Sequence, residues 1–174
     1  MNETAELSRA VDLIGRLLLK EIDADMLARL RSGPVCEALA TLDLALPDDA
    51  DLETLAAEYC AAFIGPVDHV PLIQSVHVGD GLESPSANAV RRIATAAGLE
   101  LDRDATRAAP PDHLGVILCL WAALAEPWPE AALHLSREHL AWAREPLSAA
   151  QAHDGFYGRL AGSARSIVDV ILAG

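Results

Sequence analysis

Aromatic residues are scarce in this 174-residue chain, at 4% of the sequence, although 52% of its residues are hydrophobic. Much of that apolar content is Ala and Leu, which favour helices, whereas the strand-favouring Val and Ile are modest in number. The composition therefore disfavours β-rich folds, and a chain this long and this apolar can bury a core without disulfides or a metal. We predict an all-α fold, a single irregular helical bundle that spans residues 1–174.

Cysteine is also scarce, and Cys36, Cys60 and Cys119 form no CxxC pair. Their spacing therefore gives no support to a thiolate metal site or a redox motif. An odd number of thiols on apolar stretches is typical of buried free cysteines in a reducing compartment.

Basic residues number 13 against 26 acidic ones, so the net charge is −13. A field of this sign repels phosphate backbones, and we expect no nucleic acid partner. A cationic partner is favoured instead, although the need for solubility explains the same charge.

Long apolar runs are absent, since the longest candidate, Leu114–Ala125, is shorter than the ~18 residues that span a membrane. The first residues, Met1 to Glu6, are acidic and lack the basic start and apolar core of a signal peptide. We therefore expect a cytoplasmic protein without a membrane span.

Apolar residues recur at helical spacing along most of the chain. Gly65-Pro66 predicts the end of one helix, with Gly65 in a left-handed cap, and Pro146 is predicted to break another. The first predicted helix has one apolar face, formed by Leu7, Val11, Ile14, Leu17 and Leu18. The predicted helices are Thr4–Glu21, Asp25–Arg31, Val35–Leu42, Leu52–Ile64, Pro85–Gly98, Asp112–Ala125, Pro129–Arg144 and Ala149–Ala173, the last with a weak point at Gly155, Gly158 or Gly162.

Two stretches are predicted to be irregular. Asp102–Ala109 resembles a polar linker, whereas Gly65–Glu83 is rich in Pro and Gly and also contains apolar residues such as Leu72 and Val76. An apolar loop of that length is uncommon unless it packs against something or binds something.

His134, Glu138 and His139 invite comparison with zinc-protease motifs, but the spacing does not fit. Histidines five residues apart diverge by roughly 140° around a helix. The chain also lacks a phosphate-binding loop and a nucleophile elbow. We therefore expect no metal, no cofactor and no catalytic activity, and we see no nucleotide-binding motif.

Asp112 and His113 are predicted to lie in the first turn of an apolar helix, where the helix dipole favours an ionised Asp112. Two interpretations stay open. Asp112 is either an ordinary first-turn charge beside a surface histidine, or a fixed anion that receives an Arg or Lys from a partner.

Several segments occur in a characteristic order along the chain: Glu58–Pro66 with Val70–Val76, Ala109–Val116, Glu138–Trp142 and Phe156–Ala161. Together these segments resemble the TorD/DmsD family of molybdoenzyme maturation chaperones. In two positions the chain departs from the family pattern: Ala109 stands where the family has Glu, and Leu72-Ile73-Gln74 replaces Tyr-Glu.

The resemblance implies an all-helical cytoplasmic chaperone that binds the apo form of a molybdenum-cofactor oxidoreductase, through its twin-arginine leader, and assists maturation before export. It implies leader binding by Asp112 and His113. More weakly, it implies contributions from Tyr59, Phe63, Gly65, Pro66, Leu72 and Pro111.

Other functions remain open beside this one. A NarJ-like chaperone would serve a non-exported nitrate reductase subunit, and a helical adaptor would dock another protein through the apolar loop. A small metal-dependent hydrolase would use Asp112, His113 and His139. The chain is compatible with a monomer or a domain-swapped dimer.

Overall fold

The computed structural model describes residues 3–81, 84–102, 106 and 109–174. Within these ranges there is no strand, and one isolated antiparallel bridge joins Ile73 and His113. The predicted all-α fold is confirmed. The helices are α1 Glu3–Leu19, α2 Ala24–Leu30, α3 Gly33–Thr41, α4 Leu52–Tyr59, α5 Gln74–Val78, α6 Pro85–Ala96, α7 Leu114–Leu124, α8 Pro129–His139, α9 Arg144–Ala150 and α10 Phe156–Ala173, with a π-helical turn at Cys60–Ile64 and a 3-10 turn at Ala141–Ala143.

The chain forms two compact units, which are described separately. Unit 1 consists of Met1–Lys20, Leu72–Arg144 and Ile167–Gly174, and unit 2 of Glu21–Pro71 and Glu145–Ser166. That residues 1–174 form a single chaperone domain stays a prediction. Most of the predicted linker Asp102–Ala109, and Leu82 and Glu83 of the predicted loop, lie outside the described residues.

Unit 1 is built on the packing of α1 against α7. The apolar face predicted for α1 is confirmed from Val11 to Leu18, where each of its four members is buried. Two glycines let the helices approach closely, since a Cβ on Gly115 would lie 2.6 Å from the carbonyl oxygen of Gly15.

Unit 2 contains a cluster of four aromatic rings, which we call the aromatic cluster: Tyr59, Phe63, Phe156 and Tyr157. Tyr157 contacts the other three rings edge-on, with centroid distances of 5.1 to 5.9 Å. Its hydroxyl accepts a hydrogen bond from the N–H of Ile22 at 3.3 Å, and burial raises the pKa of this phenol. The cluster is the packed centre of unit 2.

The end of α4 differs from the prediction. Gly65 is not left-handed, because its φ is −57°, and its N–H donates to the carbonyl of Cys60 at 2.6 Å. A Cβ at this position would lie 2.9 Å from that same oxygen. Glycine is therefore required by close approach of the backbone, and not by left-handed geometry.

The boundary near Pro146 was also predicted wrongly. Pro146 lies in the first turn of α9, where an N–H has no acceptor within the helix and its loss costs little. The chain instead breaks before α10, where Gly155 has a φ of +92°. The carboxylate of Glu58 accepts from the N–H of Phe156 at 2.7 Å and caps the new helix.

Candidate functional site

Asp112 lies just before α7 rather than in its first turn, and only 1% of the residue is exposed. Its carboxylate Oδ2 accepts from the N–H of Ser75 at 2.9 Å, and its backbone carbonyl accepts from the N–H of Gln74 at 3.0 Å. The second oxygen, Oδ1, is buried and has no hydrogen-bond partner in the described part of the chain. A buried carboxylate oxygen without a donor is energetically unfavourable, so this atom is the unusual feature of the site.

His113 is the N-cap of α7, and its Nδ1 accepts from the N–H of Gly115 at 3.1 Å. Burial lowers its pKa to about 4, although the charge of Asp112 acts in the opposite direction. The ring is therefore neutral near neutral pH, and its proton is on Nε2. His113 is half-buried, so the interpretation as a surface residue was wrong.

Residues 72–75 and 112–114 are joined by backbone hydrogen bonds, and we call this arrangement the clip. The N–H of Leu114 donates to the carbonyl of Leu72 at 2.8 Å, and the bridge between Ile73 and His113 follows. Pro111 is half-buried and directly precedes Asp112. Thus the structure brings together Asp112, His113, Leu72 and Pro111, all in unit 1.

A buried polar pair that sequence reasoning missed supports the clip. The Oε1 of Gln74 lies 2.9 Å from Nδ1 of His139, and its Nε2 donates to the carbonyl of Glu138 at 3.3 Å. Burial lowers the pKa of His139, so its neutral ring donates from Nδ1. In the sequence, the one indication of this pair is that Gln74 is a polar residue in an apolar loop. Its partner lies 65 residues away.

The predicted irregular stretch Gly65–Glu83 contains the short helix α5, so that prediction was wrong over Gln74–Val78. Gly79 ends this helix in the left-handed region, with a φ of +78°. Val76 and Val78 are 58% and 49% exposed. The ring of His77 stacks on Trp142, with centroids 5.3 Å apart. We call Val76, His77, Val78 and Trp142 the α5 surface.

The other predicted peptide-binding residues belong to unit 2. Tyr59 and Phe63 are 5% and 6% exposed and form part of the aromatic cluster, whereas Gly65 and Pro66 end the π-helical turn. Packing within unit 2 accounts for the positions of these residues without a ligand. Their contact with a peptide stays a prediction.

The described residues also bear on a metal site and on a membrane span. No group of three or more His, Cys, Asp or Glu side chains is placed to hold a metal ion there, and His139 is bonded to Gln74 instead. Among the helices that the structure describes, none has the length and apolar character needed to cross a membrane.

A candidate redox enzyme maturation protein from Archaeoglobus fulgidus has a similar structure, with a TM-score of 0.64 and 17% identity, over 97% of this chain and 95% of that one. No curated protein matches the chain.

The family model described as the nitrate reductase delta subunit matches residues 29–155. The chain therefore belongs to this family of NarJ/TorD-type chaperones, which confirms the resemblance inferred from the sequence. It is a redox enzyme maturation chaperone.

Proposed function

We propose that this chaperone binds the twin-arginine leader of an apo-molybdoenzyme in the cytoplasm, assists its maturation before export, and catalyses no reaction itself. Such a leader is cationic at one end and apolar beyond it. The net charge of −13 favours a cationic ligand. Tyr59, Phe63, Gly65 and Pro66 are not needed for this proposal, which rests on unit 1.

The observation that carries the proposal is the Oδ1 of buried Asp112, which has no hydrogen-bond partner among the residues that the structure describes. A guanidinium offers five N–H donors, and a charge-assisted hydrogen bond contributes about 1.5–3 kcal/mol. Micromolar affinity needs only about −8 kcal/mol in total. Because Asp112 is 1% exposed, we expect the clip to open locally when an arginine reaches this oxygen.

Calorimetry with two synthetic peptides tests the proposal. One peptide carries two adjacent arginines followed by an apolar stretch, and its control has alanines in place of the arginines. We expect the arginine peptide to bind more tightly, and the advantage to fall about tenfold or more in Asp112→Asn. Asn keeps an oxygen for the N–H of Ser75 but removes the charge. Equal affinity for the two peptides would contradict the proposal.

The family description favours a second candidate, an assembly chaperone for a nitrate reductase subunit that is not exported. This candidate predicts a client segment without an Arg-Arg pair. Co-purification of the client from the native cell, followed by mapping of the bound segment, separates the two functions.

A further inference from the structure

A groove opens between the first half of α1 and the second half of α7, both in unit 1. The two helices approach closely only further along, where a Cβ on Gly15 would lie 2.8 Å from the Sγ of Cys119. Towards the start of α1 the facing side chains are small, and they leave a volume of about 530 Å³ unfilled. We call this space the α1–α7 groove, and its small lining residues are Ala5, Ser8, Ala122, Ala123 and Pro127.

Ser8 supplies a polar atom to the wall of this groove. Its Oγ is buried and has no hydrogen-bond partner among the described residues. A serine within a helix commonly donates to the carbonyl four residues earlier, and Ser8 does not. A hydroxyl left without a partner favours an occupant that carries a hydrogen-bond donor.

Trp128 follows Pro127 at one end of the groove and is held on a fixed backbone. Its N–H donates to the carbonyl of Leu124 at 2.8 Å, and its carbonyl accepts from the N–H of Ala132 at 3.0 Å. Its side chain is nevertheless 53% exposed. An exposed aromatic ring on a rigid backbone loses little conformational entropy when a partner covers it, and such rings contribute strongly to interfaces.

Two opposite charges line the same groove without pairing. Arg9 and Glu126 are exposed, and in the described part of the chain neither forms an ion pair. The Nε of Arg9 donates only to the carbonyl of Ala5 in its own helix, and Asp12 already pairs with Arg16 at 2.7 Å. A face with one cation and one anion left over complements a second copy of itself, because a two-fold rotation can place each beside its opposite.

We propose that two copies of this chain associate through the α1–α7 groove. Trp128 of each copy enters the groove of the other, where its Nε1–H donates to the Oγ of Ser8, and Arg9 of each copy pairs with Glu126 of the other. The groove has the volume of a site that encloses a small organic molecule, so it accommodates an indole ring. This dimer exchanges no segment between copies, so it differs from a domain-swapped dimer.

The proposed interface is separate from the clip. The clip lies at the start of α7 and the groove along its second half, and the eleven residues of the helix span about 16 Å. Association of two copies and binding of a peptide can therefore be measured independently.

Sedimentation velocity of the full chain over a series of concentrations tests the proposal. We expect the wild type to pass from monomer to dimer as its concentration rises. Trp128→Ser should weaken association about thirtyfold or more, and Ser preserves the start of α8 because it is a good N-cap. The control Val170→Ser, at a position 56% exposed on α10 in unit 1, should associate as the wild type does.

Charge reversal tests the arrangement of the two copies. Arg9→Glu and Glu126→Arg, made singly, should each weaken association about tenfold, because each places like charges opposite one another. The double variant should regain most of the wild-type association, since the two charges then pair in the reverse sense. Arg92→Glu and Glu100→Arg make the same changes of net charge at exposed positions outside the groove, and should leave association unchanged.

Three results would overturn the proposal. A wild type that stays monomeric up to about 100 µM has no interface of useful affinity. A dimer that Trp128→Ser leaves intact is formed through another face. A double charge variant that associates no better than the single variants shows that Arg9 and Glu126 do not face each other across the interface.

Discussion

The aromatic cluster of unit 2 and the α5 surface of unit 1 are both apolar, but they differ in exposure. Tyr59 and Phe63 are 5% and 6% exposed, whereas Val76 and Val78 are 58% and 49% exposed. The large rings therefore contribute to stability, and the small valines are available to a partner. Apolar character alone did not distinguish these roles, since the sequence predicted Tyr59 and Phe63 as binding residues.

Truncation of one side chain in each region should test most clearly whether the two regions differ in their contribution to stability. Phe63→Ala removes a buried ring and should lower the free energy of unfolding by about 3–5 kcal/mol. Val76→Ala removes mostly exposed atoms and should change it by less than about 0.5 kcal/mol. Urea unfolding measures both values, and similar losses would show that α5 is as important for stability as the aromatic cluster.

The pH dependence of stability should arise from His113 in the clip and not from the aromatic cluster. Burial lowers the pKa of His113 from 6.5 to about 4, so the unfolded chain binds more protons between these values. Stability therefore rises with pH across this window and is lost as pH falls from 6.5 towards 4. At about 1.36 kcal/mol per pKa unit, His113 contributes at most about 3–4 kcal/mol.

His113→Asn provides the measurement, because Asn is a good N-cap that does not titrate. Urea unfolding at about pH 7 and about pH 4 should differ less in this variant than in the wild type. Some dependence should persist, since burial also lowers the pKa of His139. Phe63→Ala should keep the full wild-type dependence, and an unchanged dependence in His113→Asn would contradict the assignment.

A local effect should define the role of Asp112 in the clip. Asp112→Ala removes the acceptor of the Ser75 N–H, and should cost about 1–3 kcal/mol and speed exchange of that amide hydrogen. Asp112→Asn keeps an acceptor oxygen and should protect the amide nearly as the wild type does. Equal protection in the alanine variant would show that the clip does not depend on this carboxylate.

The long helices were predictable because the apolar spacing that indicates each helix lies within one continuous stretch of the sequence. Val11, Ile14 and Leu18 recur at helical spacing, and they are buried as that spacing predicts. The helix predicted to begin at Pro85 is α6, and the Ser84 hydroxyl before it accepts from the N–H of Ala87 at 3.1 Å.

The candidate site was predictable only in part. The sequence identified Asp112, His113 and Leu72 through their resemblance to a family, and the clip brings these residues together. It named Gln74 and His139 in other contexts but did not predict the hydrogen bond between them, which joins residues far apart in the chain. A contact of this kind has no local pattern, so the pairing could not be read from the sequence.

The sequence by itself determined the helical class and the acidic charge, because composition and apolar spacing act locally along the chain. Only the tertiary structure decided which apolar residues are covered and which polar atoms are paired. The sequence left Asp112 as either an ordinary first-turn charge or a fixed anion for a partner. Packing buries it, and among the described residues its Oδ1 has no donor. Burial and hydrogen-bond pairing depend on which distant segments meet, and that is a property of the folded chain.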